Sequence, residues 1–211
     1  MLAWSEGPEA NDLHPRGIRG AVADALHGHA DVRTACLVDP EQGVDLRGVD
    51  VLAWWGHAHH ADLDDARAEQ IANAVRGGMG LLVLHSGHHS KPFRALLNAS
   101  GNLGGWREAA EVERLWIVNS THPIAAGLPN PIEIPHEEMY AEPFDVPPPD
   151  DLVFVSWFAG GEIFRSGAGW RRGAGKIFYF RPGHEAYPTL HHEHVRHVLQ
   201  NAARWCAPEA P

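Results

Sequence analysis

Gly80-Leu81-Leu82-Val83-Leu84-His85-Ser86-Gly87-His88-His89-Ser90 is the stretch on which the fold turns. An apolar run without alternation stops at a histidine, a small polar residue, a glycine and two more histidines. A run of this length with no polar face reads as a strand covered on both sides, as in a parallel sheet between helix layers. Such folds place their chemistry at the carboxyl ends of the strands. A nucleophile elbow would carry Ser or Cys at this point, flanked by glycine. Imidazole stands there instead, which points away from acyl transfer and towards metal binding or acid–base work.

The flanking sequence supports the same architecture. Met1 to Ser5 reads as a very short first strand, and Gly7 to Pro15 as a loop rich in Pro, Asn and Asp. Ile18, Val22 and Leu26 give helical spacing to Gly17–His27. Strands are expected over Val32–Val38 and Asp50–Trp55, then an amphipathic helix over Asp62–Arg76 that stops at Gly77-Gly78. Lys91–Leu97 reads as a short helix. This alternation predicts an α/β fold with a doubly wound, mostly parallel sheet between two helix layers. From about 98 to 150 periodicity weakens while Gly, Pro, acidic and aromatic residues gather. That segment is expected to be an ordered, irregular cap over the sheet rim. Strands are expected again over Leu152–Phe158, Gly161–Arg165 and Lys176–Phe180, with a last helix from His192 to Trp205. One domain over 1–211 suits this length.

Composition excludes several function classes. The formal net charge is −10 and no Lys/Arg run is long, so the chain lacks an electrostatic footprint for nucleic acid. No stretch reaches the roughly 20 apolar residues of a membrane helix, and no basic and apolar leader opens the chain; the expectation is a cytoplasmic protein. Cys36 and Cys206 form neither a CxxC pair nor a disulfide framework and read as small buried hydrophobes.

Sixteen histidines make any single His pair weak as a signal. His14, His27, His29, His191, His192, His194 and His197 read as solvated surface, and His59 and His89 as facing water. His57 and His60 follow the third strand, His85 and His88 the fourth, and His184-Glu185 follow Ile177–Phe180 across Arg181-Pro182-Gly183. Imidazole is both a common metal ligand and a base near neutral pH, so strand ends could gather these groups at one point. Each is alternatively a hydrogen-bonded structural residue. Glu137-Glu138-Met139-Tyr140 interleaves acids with large apolar groups and reads as a pocket lining or a buried support. Trp54, Trp55, Trp106, Trp116 and Trp157 read mainly as core, with one or two free to stack on a sugar face. Arg107 and Arg165 pair with nearby acids or bind a polar substrate.

Several long motifs resemble the trehalose-utilisation (ThuA-like) family: Trp54-Trp55-Gly56-His57, Gly78 to His88, Trp106-Arg107-Glu108, Glu137-Glu138-Met139-Tyr140, Ser156-Trp157-Phe158, Glu162 to Gly167, and Phe178 to Glu185. They span nearly the whole chain in order. The resemblance implies the three-layer, flavodoxin-like, class I glutamine amidotransferase-like fold. Against that pattern His85 falls at the cysteine of the elbow, and His184-Glu185 near the amidotransferase His and Glu, so glutaminase activity is not expected. The first strand is shorter than the family's, Gly104-Gly105 precede Trp106 where a basic residue is usual, and His136 replaces an acid.

The resemblance further implies use of trehalose or a related disaccharide after a partner sugar 3-dehydrogenase has made the 3-keto sugar. A ketone at C3 acidifies the C2 proton, so one base and one electrophile suffice for isomerisation or glycosidic cleavage. His85, His184, Glu185 and Glu138 are the expected catalytic residues. His57, His85 and His184 are the expected ligands of a divalent ion, zinc or manganese; no nucleotide cofactor is expected. Trp55, Ser86, His88, Trp106, Arg107, Tyr140 and Trp157 are expected to bind the sugar. A non-catalytic sugar-binding protein on a decayed amidotransferase scaffold is the alternative.

Overall fold

The computed structural model describes residues 1–7 and 10–209, so residues 8 and 9 of the expected first loop lie outside the described residues. Among the described residues nine strands form one sheet in the order β2-β1-β3-β4-β9-β8-β7-β5-β6. The parallel part is β1 (Leu2–Ser5), β2 (Arg33–Cys36), β3 (Val51–Gly56), β4 (Gly80–His85) and β9 (Gly175–Phe180). Helices α1 (Gly17–Leu26) and α4 (Glu193–Cys206) cover one face; α2 (Asp65–Arg76) and α3 (Lys91–Leu97) cover the other.

This two-sided cover explains the unbroken apolar runs. Leu82 and Leu84 pack with α1 and α4, while Leu81 and Val83 pack with α2 and α3. All four are 0% exposed, so neither face has reason to be polar. In β3 the same alternation sends Trp55 to the first core and Trp54 to the second, where Trp54 stacks on Trp4 with ring centroids 3.6 Å apart.

The segment expected to be an irregular cap contains two long strands. β5 (Gly105–Ile117) and β6 (Ile132–Ala141) pair antiparallel and extend the sheet through β7 (Asp151–Trp157) and β8 (Ile163–Arg172). The sheet is therefore mixed, its parallel character confined to β2-β1-β3-β4-β9. Two register shifts in β5, between Arg107 and Glu111 and between Glu111 and Glu113, erase the period-two pattern a strand should show. Ala110, with φ 51°, sits within them. In β6, Glu137, Glu138, Met139 and Tyr140 are buried in succession, which again hides the period.

Cys36 closes β2 and Cys206 closes α4; both are free and buried, as expected. His14 departs from expectation: it is 2% exposed, not solvated surface. Among the described residues no helix is long and apolar enough to cross a membrane.

Candidate active site

The carboxyl ends of β1, β3, β4 and β9 deliver Glu6, His57, His85 and His184-Glu185 to one rim. His85 is the last residue of β4 and turns with φ 53° and ψ −129°. Positive φ at a residue with a Cβ costs roughly 1–3 kcal/mol, and this strand-to-turn bend is that of a nucleophile elbow. The elbow is thus built, strain included, but loaded with imidazole. Neither cysteine lies near it.

The rings of His57, His85 and His184 form a nearly equilateral triangle, with centroids 5.3, 4.9 and 5.1 Å apart. Each ring has a different environment. His57 is half-buried and donates Nδ1–H to Glu185 Oε1 at 2.5 Å, which leaves Nε2 with its lone pair in the neutral ring. That hydrogen bond, ahead of opposing burial, raises the pKa of His57. The Glu185 carboxyl is held below its usual range: burial opposes this, and the bond to His57 outweighs it. His85 is fully buried with both ring nitrogens unpartnered, and Nε2 stands 3.6 Å from Glu138 Oε2. Burial first, and then the neighbouring His184 and His57, push its pKa well below the ordinary value, so His85 is neutral. His184 accepts a hydrogen bond from Ala186 N–H on Nδ1 at 3.0 Å. A backbone N–H only donates, so the neutral ring carries its proton on Nε2, which is buried, unpartnered and 3.9 Å from Glu108 Oε1. Burial raises the pKa of Glu138, whose Oε2 also lacks a partner.

Two buried acids hold this arrangement. Glu6, just past β1, accepts the backbone N–H groups of His57, Ala58 and His59 on Oε2 at 2.7, 2.8 and 2.8 Å, while Oε1 meets His60 Nδ1 at 2.7 Å. Burial alone would raise its pKa; the His60 contact and the N–H groups of His59 and His57 bring it to about 2 instead. Gly56 makes room for this carboxylate, since a Cβ there would lie 2.7 Å from Glu6 Oε1. Glu137 accepts from Gly183 N–H at 2.8 Å and His184 N–H at 3.3 Å, and so fixes the loop after β9. Arg181 Nη1 donates to Glu137 at 3.0 Å, and its guanidinium also grips Glu113; all three side chains are fully buried.

Of the residues expected to bind sugar, Ser86 and Tyr140 share a 2.5 Å hydrogen bond and line a cavity of about 260 Å³ with His57, Glu138 and Trp106. Trp106 is 66% exposed at its edge. His88 closes the same cavity but is fully buried, its Nδ1 bonded to Gly101 O at 2.8 Å. Trp55 lies against His85 and donates to Gly183 O. Arg107 and Trp157 are not brought to the cavity: Arg107 pairs with Glu111 and Glu162, and Trp157 lies exposed beneath the Arg114 guanidinium. Trp116 is likewise exposed rather than core, and His136 is on the surface.

One donor atom from each of His57, His85, His184 and Glu185 lies within 4.8 Å of the others, close enough to converge on one cation. The ring environments divide the set. A ligating imidazole ordinarily donates its second N–H to an acceptor. His57 does so, to Glu185; His184 faces a donor, the Ala186 N–H, and fits poorly as a ligand.

A mixed α/β sheet whose elbow carries imidazole in place of the thiol, with His-Glu just past β9, defines a glutamine amidotransferase-like fold without the amidotransferase nucleophile. The chain belongs to the trehalose utilisation (ThuA) family, whose model matches residues 14–206. Among solved structures it resembles a ThuA-like protein of Parabacteroides merdae, with 16% identity, a TM-score of 0.74, and coverage of 97% of this chain and 88% of that one. PurLQS of Thermotoga maritima shares the fold at 14% identity and TM-score 0.59, covering 97% of each chain. The β-galactosidase of Rahnella sp. R3 matches 98% of this chain with 31% of its own, at 13% identity and TM-score 0.65. No curated protein matches in sequence.

Proposed function

We propose that the chain acts in the cytoplasm on a 3-keto glycoside, abstracting the C2 proton and releasing or isomerising the C1 substituent. Family membership supports a role in carbohydrate utilisation. The observation that carries the reaction is the convergence of three imidazoles in different hydrogen-bonding environments around the elbow, with Glu138 beside them.

In this reading the keto ring occupies the Ser86–Tyr140 cavity. His57, oriented by Glu185, takes the C2 proton on Nε2 from its neutral form, and the bond to Glu185 stabilises the imidazolium that results. The C–H electron pair becomes the C2=C3 bond of an enediolate, and N–H groups of His184 and neutral His85 donate to the oxygen that gains charge. Neutral imidazole suits this role because it donates without giving up its proton. When the enediolate collapses, C3=O re-forms, the C2=C3 pair becomes a C1=C2 bond, the C1–O bond breaks, and the leaving oxygen takes a proton from Glu138, whose raised pKa favours the acid form. Return of a proton to the opposite face of C2 instead gives the C2 epimer, and its delivery to C3 gives the 2-keto isomer. A sugar 3-dehydrogenase is the pathway partner, and the steps require no nucleotide cofactor.

A second reading adds a divalent ion, zinc or manganese, favoured by the 4.8 Å convergence. His57, His85 and Glu185 would hold it, and it would polarise the ketone oxygen.

The test is incubation in D2O with trehalose and 3-keto-trehalose side by side, followed by NMR. Deuterium at C2 or release of glucose from the keto sugar alone, lost in His85→Ala and His184→Ala variants that melt normally, supports the reading. Binding without exchange or cleavage would leave a sugar-binding protein in its place.

A further inference from the structure

His57 stands between two cavities. The one assigned above to the keto ring lies on one side; on the other is a cavity of about 240 Å³ whose wall includes Glu6, Asn11, His14, Trp55 and Glu185. At roughly 30 Å³ per molecule it has the volume of about eight waters, a size that suits one pyranose ring and not a nucleotide.

The free polar atoms of this wall are acceptors. His14 Nε2 faces the Tyr187 carbonyl at 3.3 Å and so carries the ring proton. Its Nδ1 is therefore a lone-pair acceptor, buried and without a partner. Burial, ahead of the stacked His191, lowers the His14 pKa and keeps the ring neutral. Glu185 gives Oε1 to His57; its Oε2 is buried and unpartnered. Glu6 gives Oε2 to the 57–59 backbone, and its Oε1 lies beside His60 without a hydrogen bond; Asn11 is taken by His14 N–H and Glu185 O, and the Trp55 N–H by Gly183 O. What remains is three acceptors, His14 Nδ1, Glu185 Oε2 and Glu6 Oε1, beside an indole and the Ile18 side chain. Two carboxylates exclude an anionic ligand. A neutral polyol, with hydroxyls that donate and C–H groups that pack on indole, matches each feature.

We propose that this second cavity is a subsite for a neutral sugar ring, with His14 Nδ1 and Glu185 Oε2 accepting its hydroxyls. Resting on the function proposed above, it holds the leaving group of the keto glycoside, and His14 sets the preference for a sugar over a small aglycone.

Two measurements test it. The first compares kcat/KM for 3-keto-trehalose and methyl 3-keto-α-glucoside in wild type, His14→Phe and His14→Asn, each checked by thermal melt. The ratio of disaccharide to methyl glycoside should fall about tenfold in His14→Phe, the equivalent of one lost hydrogen bond. It should partly recover in His14→Asn, which keeps an acceptor. An unchanged ratio in both variants overturns the subsite. The second follows glucose binding by saturation-transfer NMR, which needs no turnover. Glucose bound by wild type and lost in His14→Phe supports the subsite even if neither keto sugar is turned over, in which case only the proposed reaction fails. No glucose binding by wild type, or binding indifferent to His14→Phe, overturns the subsite whatever the turnover.

Discussion

His57 and Glu185 are joined by a 2.5 Å hydrogen bond across two strand ends that lie 128 residues apart in the chain. The bond fixes which imidazole nitrogen is free and which way it faces. Glu185→Gln keeps the size and an acceptor but removes the charge that stabilises an imidazolium. The expected result is a fall in kcat on 3-keto-trehalose of about 10²-fold, within the range for a general base stripped of its support, with an unaltered circular dichroism spectrum. Full activity in this variant would remove His57 from the role of base.

The elbow makes a stability prediction of an unusual sign. At most sites glycine is less stable than alanine because it loses more freedom on folding. At position 85 the backbone has φ 53° and ψ −129°, which alanine adopts only with strain. His85→Gly should therefore melt higher than His85→Ala, by about 1 kcal/mol or roughly 2–4 °C for a chain of this size. Both should be inactive. The reverse order in a calorimetric scan would show that the bend carries no strain.

Glu6 gives the fold an acid limb. Its pKa of about 2 in the native state lies below the ordinary glutamate value of 4.5. A depressed carboxylate stabilises the native state fully above the unfolded pKa and loses that contribution as pH falls through the folded one. The contribution, of the order of 3 kcal/mol at 1.36 kcal/mol per unit, is present above about pH 4.5–5 and disappears towards pH 2. Urea midpoints across that window should drop in wild type and change less in Glu6→Gln, which should already be destabilised at pH 7. Parallel curves for the two proteins would contradict this.

The parallel core and its histidine-bearing rim are legible in the sequence because both depend on local pattern. Leu81–Leu84 must be strand, since a four-residue apolar run covered on both faces leaves little else, and His85 and His184 stand out because polarity begins abruptly there. α3 matches its expected bounds, Lys91–Leu97. β5 is not legible, because its shifts of register mix the two faces. Glu6 and Arg181 are not singled out either, since their roles are set by partners remote in sequence. Arg181 does leave one signal: a charge that directly follows Ile177-Phe178-Tyr179-Phe180 must be paired where it is buried. His14 reads as surface because it sits in a polar loop, and only the packing of Tyr187 and His191 against it reveals a buried ring.

The protonation pattern separates the two readings of the histidine cluster. If a divalent ion binds, His57, His85 and Glu185 hold it and His184 does not. Calorimetric titration with zinc or manganese should then show affinity that falls 10–100-fold or more in His57→Ala and His85→Ala and stays within about threefold in His184→Ala. Turnover that survives dialysis against a chelator would favour the imidazoles acting alone. Equal loss of ion affinity in all three histidine variants would show that His184 turns its ring and gives up the Ala186 contact.

Arg181 ties the antiparallel half of the sheet to the loop after β9. Its guanidinium lies between Glu113 and Glu137, and Glu137 in turn accepts the N–H groups of Gly183 and His184. Burial raises the pKa of Glu113, against the attraction of Arg181, so removing the cation favours protonation of that carboxyl. Arg181→Met alone leaves two buried acids facing each other and should cost about 3–5 kcal/mol. Adding Glu113→Gln removes one of the stranded charges and should return part of that loss, whereas Glu137→Gln in the same background should return less, because Glu137 still has two loop N–H groups to satisfy. Urea denaturation of the single variant and the two doubles measures the difference. Equal recovery in both doubles would mean that the bonds from Glu137 to the 183–184 backbone contribute little to holding His184 in place.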